Sequence, residues 1–415
     1  MKILCLVDKY YPDASANTVC CDHIMTYFKK QGHNVDFLAV KSSFKDEDYS
    51  TYTGSNIIKI ETYTDKFLKK HFKKYNTDRW NDLPIIIRKP ITFFYKLKRK
   101  FRISTENAPL DSFNYNEILK RVSKVNDCYD VMISFSMPFA LCVVANYLFK
   151  KKVAKKWYHV LLDPFVYNNC LATNKINYRK KVACNILKDA THIFMLDGIM
   201  GENIKQGYLP KYHQKTTEIF IPVLSESNFI LGEKSNKKTI TMIYAGGFYR
   251  DIRNPSKMLD VLANLNNIKI DLYGQGCEDI IEQKKDKFKN SELNLNGKLT
   301  HEECLKTISK SNILINLGNT ITNQMPSKVF EYISFGKPII NFYFTEEDMC
   351  LKVFKKYPLV FNFNLNNYTE KDIAELKSFI EENKNKQLSF EEATKNLVEY
   401  RVESIAQKVY EVVTK

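Results

Sequence analysis

At 415 residues the chain is long enough for two domain cores, and 44% hydrophobic with 27% charged residues is the balance of a globular protein, not a disordered or fibrous one. Sixty-three Lys and Arg against 47 Asp and Glu leave a net charge of +16. Ten cysteines with no C-x-x-C spacing exclude zinc-ribbon and disulfide-scaffold classes, so reduced cytosolic thiols are expected.

MKILCLVDKYY places Lys2 and Asp8 around a short apolar run, which reads as a first strand and not as a secretory signal. SANTVCCDHIMTYFKKQG then predicts a helix closed at Gly32, and NVDFLAV a second strand, so the chain opens as a βαβ unit. Residues 42–115 break this rhythm and read as an insertion that decorates the fold. Within it, Lys66 to Arg102 hold thirteen Lys or Arg and two Asp, a net of +11, interleaved with Phe67, Phe72, Tyr75, Trp80, Phe93, Phe94, Tyr95 and Phe101. Basic residues beside large apolar ones suit an anionic membrane surface, where each cation contributes about 1 kcal/mol. A solvated basic helix pair is the alternative. Nucleic acid would also attract the charge, but no nucleic-acid-binding motif accompanies it, so no such partner is expected.

Val131 to Phe149 is free of charge and long enough to span a bilayer. Ser134, Ser136, Pro138 and Asn146 interrupt it, however, and VMISFS followed by PFALCVVANYLF reads as a buried strand and a helix. The strands WYHVLLD, HIFMLD and EIFIPVL follow, with helices around Arg179 to Leu187 and from Gly198. The polar stretch Leu224 to Lys238 is the expected linker. A second series then runs TITMIYAGG, NPSKMLDVLANL, IKIDLYGQG, CEDIIEQKK, LNLNG, THEECLKTISK, NILINLG, PSKVFEYISFG and KPIINFYF, followed by further helices. Thr300 with Glu303 predicts a capping box. Such alternation predicts two α/β domains of the doubly wound, Rossmann-like kind facing each other across a cleft, with ligands beyond the carboxyl ends of the strands. The expected divisions are 1–224, 225–395, and a C-terminal helix 396–415 packing back on the first domain.

Candidate chemistry clusters at those strand ends. AGGFYRDIRNP offers Gly246 and Gly247 for close backbone approach and Arg250 and Arg253 for phosphate, Arg253 being favoured. Tyr273-Gly274-Gln275-Gly276 reads as a tight turn near a nucleotide, and Leu317-Gly318-Asn319-Thr320 as a loop bordering a sugar. In NQMPSKVFEYISFGKPII, Pro326 suits a first helical turn, and Ser327, Lys328 and Glu331 share one helix side fit for a diphosphate and a ribose. The same spacing also fits a plain Lys328–Glu331 ion pair. In the first domain Asp8, Asp163 and Asp197 end strands, each placed to orient or deprotonate an acceptor hydroxyl, with an N-cap or turn role for Asp163 as the alternative. The histidines show no metal-ligand spacing, and no catalytic metal is expected.

PSKVFEYISFGKPII resembles the donor-site segment of bacterial GT-B glycosyltransferases of the family-four kind, which build surface polysaccharides such as capsules. The stretch ISFSMPFALC…LLDPF and the loop Pro12 to Asn17 resemble the same family more loosely. The resemblance implies that Glu331 holds the ribose, that Pro326, Ser327 and Lys328 lie at the diphosphate, and that Arg253 adds charge there. It implies that Asp163, Ser15 and Asn17 face the acceptor side. Asn323 stands where many relatives carry a glutamate, so the sugar-side contact is altered. The expectation is a hexose-transferring, retaining enzyme using a nucleoside diphosphate sugar and no further cofactor. It would be cytoplasmic, peripheral at the inner face of the membrane through Lys66–Arg102, and act on a lipid-linked glycan. A non-catalytic sugar-nucleotide-binding scaffold and a nucleotide-sugar epimerase or hydrolase of similar shape stay open.

Overall fold

The computed structural model describes residues 1–10, 15–40, 55–61, 63–77, 82–102, 115–125, 127–136, 139–167, 175–226, 239–321 and 325–415. Pro12, Trp80, Pro138, Asn323 and most of the expected linker lie outside them, as do the side chains of Phe94, Tyr95 and Phe101. The chain divides into Met1–Pro222 with Ile405–Lys415, and Val223–Ser404.

The first unit holds strands β1 (Lys2–Val7), β2 (Asn34–Ala39), β3 (Ile57–Lys59), β4 (Tyr129–Ser136), β5 (Ala154–Leu161), β6 (His192–Leu196) and β7 (Thr216–Ile219). They form one sheet in the order β3-β2-β1-β4-β5-β6-β7, every pair parallel. Ile3 to Val7 are all buried, which is why β1 reads as a continuous apolar run and not as an alternating one. The helices are α1 (Ala16–Lys30), α2 (Tyr63–Lys74), α3 (Ile85–Arg102), α4 (Tyr115–Val122), α5 (Ala140–Lys150), α6 (Ile176–Leu187) and α7 (Asp197–Lys205). Gly32 at φ 81° follows α1, where His33 N–H reaches back to the Phe28 carbonyl.

β3 corrects the insertion reading. Residues 42–115 are not wholly decoration, because Ile57–Lys59 extends the sheet at its edge and Ile58 and Ile60 join the core. The uncharged stretch from Val131 divides into β4 and α5, and no helix among the described residues is long and apolar enough to cross a membrane. Leu68, Phe72 and Leu83 form a small core of their own, against which Ile87 and Ile91 of α3 pack.

The second unit holds β8 (Ile240–Ala245), α8 (Ser256–Leu262), β9 (Ile268–Tyr273), α9 (Glu278–Lys284), β10 (Glu292–Leu295), α10 (His301–Lys310), β11 (Ile313–Leu317), α11 (Lys328–Ser334), β12 (Ile339–Tyr343), α12 (Met349–Phe354), β13 (Val360–Asn364), α13 (Glu370–Asn383) and α14 (Phe390–Thr394). Its parallel sheet runs β10-β9-β8-β11-β12-β13. Asn316, Asn341 and Asn362 stand in register on its last three strands. Each side-chain amide donates to the next carbonyl at 2.8 Å, so the buried polar groups satisfy one another. The last helix, α15 (Val402–Thr414), returns Ile405–Lys415 to the first unit, where Tyr410 packs against Tyr27, Phe28 and His33.

Candidate functional site

Three loops beyond the carboxyl ends of β8, β9 and β10 are joined by their backbones. Gly246 N–H donates to the Tyr273 carbonyl, Gly274 N–H to the Gly297 carbonyl, each at 2.8 Å, and Phe248 N–H to the Gln275 carbonyl at 2.9 Å. Gly274 is required by this closeness, since a Cβ there would lie 1.8 Å from the Gly246 carbonyl oxygen. The role expected of Gly246 and Gly247 is thus shared: it is Gly274 that permits the close approach, and the partner is backbone.

Over these loops lies a cavity of about 600 Å³. Gly246, Gly247, Tyr249, Tyr273, Gly274, Lys298, Thr300, Cys304 and Lys328 line it, and among the described residues its charged lining is the two lysines. Lys328 opens α11. Its ammonium donates to Glu331 one turn on and lies 3.6 Å from the Cys304 sulfur, so the i, i+3 ion pair is formed and both partners are half-buried.

Pro326 sits before the helix and not in its first turn. The helix opens through i to i+3 bonds, Val329 N–H to the Pro326 carbonyl and Phe330 N–H to the Ser327 carbonyl, and regular winding begins only at Lys328. The Ser327 hydroxyl makes no hydrogen bond among the described residues. Tyr332, from the same motif, accepts a bond from Ala245 N–H at 2.7 Å and ties α11 to the end of β8.

Arg253 and Arg250 part company. Arg253 Nε donates to Asn319 Oδ1 at 2.9 Å and Nη1 to the Gly247 carbonyl at 3.4 Å, so it bridges the loops after β8 and β11. Arg250 extends to an exposed ion pair with Asp279, 2.6 Å from Oδ2. Lys337 of the G-K-P motif is structural. Buried, it donates to the Ser309 and Ser311 carbonyls at the end of α10, and desolvation lowers its pKa to about 8.

In the first unit, Ser15 is the N-cap of α1, its hydroxyl accepting from Thr18 N–H at 3.2 Å. Asn17 Nδ2 donates to Asp163 Oδ2 at 3.2 Å, so two of the three expected acceptor-side residues meet. Burial raises the Asp163 pKa above the usual carboxylate value, and the bond from Asn17 only partly opposes it. Asp197 is the first residue of α7. Sequence reasoning missed Lys298 and Tyr249. The rule that parallel strands present ligands beyond their carboxyl ends would have found Lys298, three residues past β10.

No protein-family model and no curated protein sequence matches the chain. Solved structures match it over its whole length. The lipopolysaccharide outer core galactosyltransferase WaaB superposes with a TM-score of 0.57 at 12% identity, covering 100% of this chain and 99% of that one. HepE from Anabaena, solved with UDP and glucose, gives 0.56 at 12%, again over 100% and 99%.

The chain has the GT-B fold.

The GT-B frame does not by itself choose a reaction. A putative UDP-N-acetylglucosamine 2-epimerase from Listeria monocytogenes is also similar, at a TM-score of 0.54 and 9% identity over 100% of this chain and 95% of that one. What distinguishes this GT-B chain is its own side chains at the ends of β8, β10 and β11.

Proposed function

We propose that the chain is a glycosyltransferase that moves a hexose from a nucleoside diphosphate sugar to a hydroxyl of a lipid-linked glycan in surface polysaccharide synthesis. The observation that carries this reading is the cavity over the glycine loops, lined among the described residues by two lysines and no carboxylate. Such a lining favours a polyanion, and its place beyond parallel strands is where sheets of this kind bind phosphates. Lys328 exchanges Glu331 for the diphosphate, Ser327 adds a hydroxyl donor, and Glu331 turns to the ribose. Arg253 supplies positive charge as the diphosphate leaves. Asp163, with its raised pKa, takes the proton of the acceptor hydroxyl. The likeness of 323–340 to retaining relatives supports retention of the anomeric configuration, which NMR of the product reads directly.

The membrane contact rests on α2 and α3. Phe67, Tyr75, Ile85, Ile86 and Phe93 are exposed there, Ile86 at 79%, beside the exposed Lys66, Lys70, Lys73, Lys74 and Lys89. The chain should sediment with vesicles containing anionic lipid and dissociate as salt rises. Absence of binding to anionic and neutral vesicles alike, at any salt, would leave this face merely solvated.

A transfer assay with radiolabelled sugar nucleotides and membrane extract tests the reaction. Label should enter an organic-extractable product only when the chain is present. Interconversion or hydrolysis of the sugar nucleotide without acceptor would instead favour the epimerase-like reading, for which the similarity to the Listeria protein speaks.

A further inference from the structure

The cavity on the second unit has two chemically different ends. Gly246, Gly247 and Lys328 lie where β8 adjoins β11, the point at which the strand order reverses and phosphates are bound. Lys298 and Thr300 follow the edge strand β10, two strands further out, roughly 10 Å at the usual interstrand spacing. If the diphosphate sits at the first end, as the proposed donor reading has it, the nucleoside extends toward the second.

At that second end few polar side chains are uncommitted. The Thr300 hydroxyl and amide are both engaged by Glu303 in the capping box of α10, at 2.8 and 2.9 Å. Gln275 also lines the cavity, but its amide presents donor and acceptor alike and does not discriminate. Lys298 is exposed, and its ammonium has no hydrogen bond or ion pair among the described residues. Tyr249 and Tyr273 bring aromatic faces to the same cavity.

We propose that Lys298 reads the nucleobase and restricts the donor to bases with an outward carbonyl, namely uracil, thymine or guanine. An ammonium has three donors and no acceptor. It pairs with O4 of uracil or thymine and with O6 of guanine, whereas the amino groups of adenine and cytosine point donor against donor. Cytosine would call for a carboxylate, and the cavity lining has none among the described residues.

Calorimetric titration of the full chain with UDP, dTDP, GDP, ADP and CDP at one ionic strength tests this. At least one of the first three should bind about tenfold more tightly than both ADP and CDP, a difference typical of one good base contact. Lys298→Met should shrink that preference to within about threefold by weakening the keto-base nucleotide alone, while Lys298→Arg should keep it. Three results overturn the assignment: ADP or CDP binding most tightly, Lys298→Met leaving the preference unchanged, or Lys298→Met weakening all five equally, which would make Lys298 a general phosphate contact. Binding of none of the five by the unaltered chain would overturn the donor reading itself, and this inference with it.

Discussion

Arg253 and Arg250 lie three residues apart, and what holds each one predicts opposite outcomes. Arg253 is fixed between Asn319 and the Gly247 carbonyl, beside the cavity and without a carboxylate partner in those bonds. Its replacement by alanine, like that of Lys328, should lower kcat/KM of transfer by about 100-fold or more, the usual cost of losing one preorganised donor to a developing charge. Arg250→Ala should stay within about threefold, because an exposed pair with Asp279 contributes little. Steady-state transfer rates, with circular dichroism to verify folding, decide this; wild-type rates in both Arg253→Ala and Lys328→Ala would remove the assignment. Gly274→Ala is expected to act on stability. A Cβ 1.8 Å from the Gly246 oxygen forces two hydrogen-bonded loops apart, costing about 2–4 kcal/mol in urea denaturation. Gly201→Ala, inside α7 with no atom within 4 Å, should instead gain roughly 0.5–1 kcal/mol. At this scale the sequence was readable where chemistry is local, as with the i, i+3 ion pair of Lys328 and Glu331. It was not readable where a partner comes from afar: nothing near Arg250 marks Asp279, and nothing in G-K-P marks the carbonyls that Lys337 caps.

Elements were legible in proportion to how completely they are buried. β11 and β12 are buried at every position and β1 from Ile3 on; β1 stands out as an unbroken apolar run, and β11 and β12 as apolar runs holding one asparagine each. β13 escaped because VFNFN alternates, with Asn362 accepting from Asn341 and Asn364 from the Asn366 and Asn367 amides, and β3 because three residues carry no periodicity. The capping box at Thr300 formed as its spacing predicts. α2 and α3 present the converse case, strongly amphipathic helices whose apolar side, among the described residues, packs in the small core of Leu68, Phe72 and Leu83. So small a core makes this pair the first part of the unit to open. Leu83→Ala should therefore cost about 2–3 kcal/mol locally, raising tryptic cleavage within 66–102 severalfold while the denaturation midpoint of the sheet core stays put. Cleavage rising in step with a falling global midpoint would mean that the pair and the sheet unfold as one.

For the molecule as a whole, pH is a sharper lever than any surface charge, because the first unit is built over a histidine that folding holds neutral. His159 on β5 is fully buried, its Nδ1 2.8 Å from the Ser134 hydroxyl, which also accepts from Trp157 Nε1 at 2.9 Å. Desolvation, which a hydrogen bond with the Ser134 backbone only partly opposes, lowers its pKa to about 3 from the ordinary 6.5. A folded-state pKa below the unfolded one means that the unfolded chain binds the extra proton between those values. The stability contribution is therefore complete above pH 6.5 and is lost as pH falls toward 3, at about 1.4 kcal/mol per unit. Between pH 7 and pH 5 the loss should approach 2 kcal/mol. The +16 chain also repels itself more strongly as it gains protons, and burial lowers the His192 pKa too, so the raw slope mixes causes. A His159→Asn variant separates them, since it retains every other titrating group. Urea titrations at pH 7, 6 and 5 in a Trp80→Phe background leave Trp157, two residues from His159 in the same strand, as the fluorescent reporter of this unit. The variant should be less stable than the parent at pH 7 and should lose markedly less on acidification. Parallel slopes in the two proteins would show that His159 takes up its proton without unfolding the sheet, and that its burial carries no such cost.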